Sequence, residues 1–232
     1  MSEPTLYVIP TPIGGTVENS LTPEGIEIVK SLRYFVVENQ RQAWKFLSQI
    51  FPVEQRSQIV ISQMPRNIFN IDVRPFLVPL REGHSLGLLS DAGYPTILDP
   101  GYPIVRQAHR EDFPVKVLIG PSSVFLALAG SGLNGQNFTV HGYIPQRNIR
   151  QWLLRIESIS RKYNQSQIFM ETPYRTPQTF RLMVKTLHPN TQICVAQALT
   201  TPNEFLYTAP VRWWYKNVDQ VLKYPTIFII QA

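Results

Sequence analysis

Three loops in the sequence concentrate residues able to hold a ligand. They are PTPIGG at 10–15, SDAGYPTILDPG at 90–101 and GPSS at 120–123. Each follows a short apolar run that reads as a strand. In an open α/β sheet, ligands bind beyond the carboxyl ends of the strands. Glycine and other small residues there let backbone groups approach a ligand closely. Asp91 is an acceptor suited to ribose hydroxyls or to an ammonium group. Ser122 and Ser123 either donate hydrogen bonds or cap the helix that carries Phe125 and Leu128. Any one of these loops is also an ordinary turn. Three of them at successive strand ends favour a ligand site.

Other chemistries lack their residues. There is no GxxxxGK[ST] phosphate loop, and no GxGxxG after the first strand. Ser131 lies between glycines but not in GxSxG. His84, His109, His141 and His188 are dispersed, and Cys194 is the single cysteine. No metal site is therefore expected, and no internal disulfide.

The elements that must position the loops alternate. Strands are expected at 6–10, 34–37, 59–62, 85–89 and 115–119. Thr22-Pro23-Glu24 supplies an N-cap, a proline at the first helical position and a first-turn acid. A further helix carries 43–47. Another, with Ile104, Val105 and Ala108, follows Asp99-Pro100, where Asp99 reads as the cap. This alternation implies a largely parallel sheet covered by helices. Further on, 138–142, 167–170, 192–196, 204–208 and 226–230 look extended. The spacing around Thr200-Thr201-Pro202-Asn203 suits a hairpin, so the second sheet is mixed. The expected domains are 1–119 and 120–232.

The 232 residues are 44% hydrophobic and 16% charged, a globular composition with a net charge of +6. No apolar run approaches the roughly 20 residues of a membrane span. The segment 1–5 has Glu3 and Pro4 and no basic flank, unlike a secretion signal. A soluble, cytoplasmic protein is expected. The positive balance permits a phosphate-bearing partner.

The three loops, in this order, resemble those of the tetrapyrrole methylase superfamily, the class III S-adenosylmethionine-dependent methyltransferases. The resemblance is to the branch that 2′-O-methylates a cytidine ribose in small-subunit ribosomal RNA, and it covers nearly the whole chain. LYVIPTPIG at 6–14 is similar to that branch's opening strand and loop. SDAGYPTILDPG is similar to its SDAGTP…SDPG signature, and GPSS to its GPSA. FTVHGYIP at 138–145 and FMETPYR at 169–175 resemble its F…GF(L)P and FYESPHR segments. The resemblance implies two α/β domains with S-adenosylmethionine in the cleft between them, S-adenosylhomocysteine as product, and a homodimer. It places Pro12 and Ile13 beside the cofactor from the first loop. Asp91, Gly93 and Tyr94 hold it from the second, Ser122 and Ser123 from the third. Met170 covers it from the second domain, with Ala198 and Thr226 further along.

The substrate side departs from that branch. Its EDTR is Glu38-Asn39-Gln40-Arg41 here, and its HEHN-like segment is Ser62-Gln63-Met64-Pro65-Arg66-Asn67. Its ARELTK is Ala196-Gln197-Ala198-Leu199-Thr200-Thr201, without the arginine and the carboxylate. A ribose hydroxyl needs alignment with the methyl group, and a base or electrostatic help. The candidates are Glu38 as base, Arg41 and Arg175 to position phosphate, and Glu171. Glu38 is alternatively a helix-terminal charge or a partner of Arg41. Glu171 and Arg175, four apart at an expected helix start, alternatively pair with each other.

Basic residues gather with aromatics twice. Arg147, Arg150, Arg155, Arg161 and Lys162 accompany Trp152 and Tyr163, and Arg212, Lys216 and Lys223 accompany Trp213, Trp214 and Tyr215. Both groups suit RNA, and both equally suit a solvated helix face over a core. Three functions stay open: an RNA methyltransferase, a methyltransferase on a tetrapyrrole or other small molecule, and a cofactor-binding paralogue without catalysis.

Overall fold

The structure is a computed structural model that describes residues 3–65 and 67–232. Met1 and Ser2 of the N-terminal reading, and Arg66 of the 62–67 segment, lie outside the described residues. The chain forms two compact units, Met1–Ser122 and Ser123–Ala232.

The first unit holds β1 (Leu6–Ile9), α1 (Pro23–Ser31), β2 (Tyr34–Val37), α2 (Gln40–Ile50), α3 (Val53–Arg56), β3 (Val60–Gln63), α4 (Val78–Arg81), β4 (Leu86–Leu89), α5 (Tyr102–Arg110) and β5 (Val115–Val117). Its strands are all parallel, in the order β3-β2-β4-β1-β5. Alternate side chains go to opposite faces. Ile9, Phe35, Val37 and Leu89 meet α1 and α2, while Leu6, Val36, Leu86 and Leu88 meet the layer of Leu77, Leu80, Ile104 and Ala108. Burial on both faces explains why these strands read as continuous apolar runs. Gly87 makes room for Phe35: a Cβ there would stand 2.6 Å from the ring.

Local signals set the helix ends. The Thr22 hydroxyl accepts from Gly25 N at 3.1 Å, with Pro23 at the first position. Asn39 caps α2 by accepting from Arg41 N at 2.9 Å. Two expectations need correction. Asp99 does not cap α5, whose cap residue is Gly101, without a side-chain bond. The chain turns once more after Asp99, Gly101 N bonding Pro95 O at 2.8 Å. The strand expected at 115–119 ends at Val117, because β1, its one strand partner among the described residues, ends its pairing there with Val8.

The second unit holds α6 (Ser123–Ser131), β6 (Phe138–Tyr143), α7 (Ile149–Tyr163), β7 (Ser166–Glu171), α8 (Thr176–Thr186), β8 (Gln192–Gln197), β9 (Phe205–Pro210), α9 (Val211–Asn217) and β10 (Thr226–Gln231). The sheet order is β6-β7-β10-β8-β9, with β6 and β7 parallel and the other pairs antiparallel. One face carries the larger core: Phe169, Phe180, Ile193, Val195, Trp214 and Phe228 under α7, α8 and α9. Trp214 is fully buried and donates its indole N–H to Ile193 O at 3.0 Å. On α6, Gly130 lets the helix lie on β9, since a Cβ would stand 2.6 Å from Leu206. Glu171 ends β7 and does not start a helix, which corrects the expectation for it. Among the described residues, no helix is long and apolar enough to cross a membrane.

Candidate functional site

The loops after β1, β4 and β5 leave the carboxyl ends of three adjacent parallel strands, so they share one end of the first unit's sheet. They are tied to one another. Thr11 and Gly93 exchange backbone bonds of 2.9 and 3.0 Å, and the Thr11 hydroxyl donates to Ser90 O at 3.3 Å. The Tyr94 hydroxyl donates to Leu118 O at 3.0 Å and accepts from Gly120 N at 3.1 Å. Gly93 is buried with φ +74°, and a Cβ there would stand 3.5 Å from Ile13 and 3.7 Å from Pro121 O, so the backbone conformation and not space calls for glycine. At Gly120, a Cβ would stand 2.2 Å from the Pro10 ring. Gly120 therefore lets the loops pack tightly, and Tyr94 holds the second against the third. Pro12, Ile13 and Ser123 are half-buried, Ser122 is buried and Asp91 is exposed.

Glu38 follows β2 beside β4, its N–H bonded to Leu89 O at 3.3 Å. This places it near Asp91 and Asp99, and the three carboxylates act on one another. Burial raises the proton affinity of Glu38, and the charges of Asp99 and then Asp91 add to this. The Asp91 N–H, directed at Glu38, offsets part of the effect. Partial desolvation raises Asp91 as well, although its side chain stays exposed. Asp99 is pushed up to about 6 by burial, with Asp91 adding, and the Ser90 hydroxyl stands against it. Sequence reasoning missed Asp99 as a member of this group. Its one signal was a second aspartate within a single ligand-type loop, and the Asp-Pro pair reads more simply as a cap. Arg41 is exposed on α2, and among the described residues it makes no ion pair with Glu38. Nor, among those residues, does any group of three or more His, Cys, Asp or Glu stand ready to hold a metal ion.

In the second unit the remaining candidates collect at one end of the sheet. Thr226 opens β10 opposite Glu171 of β7 and Gln197 of β8, and Met170 pairs with Ile227. Ala198 follows β8 in the left-handed region at φ 46°, a conformation rarely held by a non-glycine residue outside turns and sites. Glu171 is buried. Its carboxylate accepts from Thr172 N at 2.8 Å and from the Thr179 hydroxyl at 2.8 Å, and stands 3.3 Å from the Arg175 guanidinium. Arg175, about one-third exposed, borders a hollow of about 400 Å³ with Gln146, Gln178 and Leu182.

Residues 5–212 match the family described as Tetrapyrrole (Corrin/Porphyrin) Methylases. The chain belongs to this family. Among its relatives is Ribosomal RNA small subunit methyltransferase I of Hydrogenobaculum sp. (strain Y04AAS1). It is 31% identical over 199 residues, which are 86% of this chain and 82% of that protein. The protein of the same name from Vibrio cholerae serotype O1 is 30% identical over 210 residues, 90% of this chain and 69% of its own. The methyltransferase CobJ shares the fold at a TM-score of 0.63 and 16% identity, covering 100% of this chain and 95% of its own. Uroporphyrin-III-C-methyltransferase from Thermus thermophilus shares it at 0.56 and 14%, covering 98% and 94%. This tetrapyrrole methylase thus has the α/β fold that the resemblance implied, a parallel sheet followed by a mixed one, and it is a methyltransferase. It fills the ribosomal branch's arginine position with Gln197, which is buried and donates to Leu222 O and Thr226 Oγ1, both at 2.9 Å. That position braces the sheet here.

Proposed function

We propose that this methyltransferase uses S-adenosylmethionine to methylate RNA, with a ribose 2′-hydroxyl of small-subunit ribosomal RNA as acceptor. The observation that carries the proposal is the interlocked set of loops beyond β4, β1 and β5, with three carboxylates beside it. The names of the relatives supply the acceptor class. The loops fit the cofactor by their donor set. Asp91 is exposed, and its carboxylate can accept from hydroxyls or an ammonium. The carboxylates of Asp91, Asp99 and Glu38 create a negative field suited to a cation.

When bound, S-adenosylmethionine would supply an electrophilic methyl group. The chain's own residues do the rest. Pro12, Ile13, Asp91, Gly93, Tyr94 and Ser122 bind and orient the cofactor from the first unit, and Ser123 does so as the first residue of the second. Met170, Ala198 and Thr226 are the second unit's contribution. Glu38, with its raised proton affinity, takes the hydroxyl proton. Arg41 and Arg175 hold phosphate, for which a guanidinium makes paired hydrogen bonds. Glu171, satisfied on all sides, acts by aiming Arg175. We further infer a homodimer and a cytoplasmic location alongside ribosomes.

The test is calorimetric titration of the cofactor-free protein with S-adenosylmethionine and S-adenosylhomocysteine, then transfer of a labelled methyl group to unmodified small ribosomal subunits. Micromolar binding, on the order of −8 kcal/mol, and ribose labelling support the proposal. Binding without transfer to any RNA converts the protein into a paralogue that keeps only the pocket. Absence of binding removes the enzyme reading.

A further inference from the structure

A groove of about 430 Å³ runs between α8 and α9 in the second unit, lined by Lys185, Pro189, Arg212, Tyr215 and Lys216 over an apolar floor. Its cations arise from helix phase. On α9, Val211 and Trp214 point into the core, so Arg212, Tyr215 and Lys216 share the outer face at i, i+3 and i+4. All three are exposed, Tyr215 at 67%. Lys185 faces them from the last turn of α8. Among the described residues, none of the ion pairs involves these three cations. Glu157 of α7 is buried and does not line the groove, accepting from His188 N at 2.7 Å and the Thr191 hydroxyl at 2.5 Å. Arg212 is steadied by the Asn190 side-chain carbonyl, and its N–H by Pro189 O at 3.0 Å. Lys185 alone would be explained as a charge complementing the end of its helix. That does not account for Arg212 and Lys216 on a different helix.

We propose that this groove binds the phosphodiester backbone of the RNA substrate, with a base stacked on Tyr215, outside the methyl-transfer site. The proposal rests on the RNA-methyltransferase reading. Three cations that form no ion pair among the described residues, beside one exposed ring, match a chain of phosphates and bases in charge and form. The groove lies at the amino end of β8, beside Thr191. Ala198 follows the carboxyl end of the same strand, and Thr226 pairs with Gln197 there. Six strand residues separate the two ends, about 17 Å. The groove therefore takes a part of the RNA away from the nucleotide that accepts the methyl group.

The test is binding of deproteinised small-subunit ribosomal RNA over about 50–200 mM salt. The proteins compared are the wild type, Lys185→Gln/Lys216→Gln, and a charge-matched control, Lys30→Gln/Lys45→Gln, on the first unit. Each lost phosphate contact lowers the salt slope by about 0.7–0.9. The groove variant should thus lose about 1.4–1.8 in slope and bind roughly 30-fold more weakly near 0.1 M salt, while the control keeps the wild-type slope. Tyr215→Ala should weaken binding at an unchanged slope, because stacking releases no counterions. Unchanged S-adenosylhomocysteine affinity in every variant shows that the fold is intact. Parallel salt plots for groove variant and wild type, or equal losses in groove variant and control, overturn the proposal while the methyltransferase reading stands. A wild type that binds cofactor but no RNA overturns that reading, and the groove proposal with it.

Discussion

Asp91 and Asp99 lie in one loop and differ in their surroundings, so their substitution has different consequences. Asp91 is exposed and free to meet a ligand. Asp91→Ala should weaken S-adenosylmethionine binding by about 10-fold or more, the usual cost of losing a hydrogen bond to a charged group, with no loss of stability. Unchanged affinity in a calorimetric titration would remove Asp91 from the pocket. Asp99 is the more buried and is pushed up to about 6. Its proton is held more tightly in the folded chain than in the unfolded one, where an aspartate titrates near 3.9. Folding is therefore favoured below about pH 4, and that advantage is lost as pH rises through about 6. Above it the buried charge costs about 1–2 kcal/mol, allowing for partial solvation. Asp99→Asn should raise the stability of the cofactor-free protein by about that amount at pH 8, and should make no difference near pH 4. Urea unfolding at both pH values measures this, and an equal difference at the two would show that Asp99 carries no such charge penalty.

Elements announced by short-range chemistry were legible in the sequence. The strand Tyr34–Val37 was read to its observed bounds, because its apolar run is buried on both faces. The Thr22 cap was legible because a cap acts within four residues. Asp99 was misread because its partners, Asp91 and Glu38, come from other turns and a neighbouring strand, and no local pattern encodes that meeting. The two adjacent tryptophans near 213 left surface and core equally open. The helix phase of α9 decides between them, since Trp214 falls inward with Val211 and Tyr215 falls outward. The loops themselves were legible as ligand-type turns, but not their mutual ties. Tyr94 is the clearest of these, because its hydroxyl satisfies Gly120 N and caps Leu118 O. Tyr94→Phe leaves that N–H without its partner and unlocks the second loop from the third. The expected outcome is a loss of about 1–2 kcal/mol in urea unfolding together with weaker cofactor binding. Lost stability at unchanged cofactor affinity would show that the tie serves the fold alone.

At the scale of the whole molecule, one sheet edge stands out as unfinished. In the first unit β5 pairs with β1 on one side, and among the described residues no strand pairs its other side. An open edge is normally guarded by charge, proline or a covering element. Here Lys116 is followed by two bare apolar side chains, Val117 at 62% and Ile119 at 74% exposure. Nearby, Val8, Val105, Tyr102 and Val117 line a hollow of about 540 Å³, and Tyr102 stacks on Phe69 at 5.4 Å between centroids. Scattered apolar residues are ordinary on a surface, but a contiguous patch beside a free edge marks a contact. A second copy of the chain is the occupant the homodimer proposal requires. Sedimentation equilibrium should then give twice the chain mass at micromolar concentration. Val117→Lys, which places a charge at the centre of the patch without touching the buried core, should shift the equilibrium to monomer at unchanged cofactor affinity. A wild type that sediments as a monomer would remove the homodimer. A dimer indifferent to Val117→Lys would move the contact away from β5.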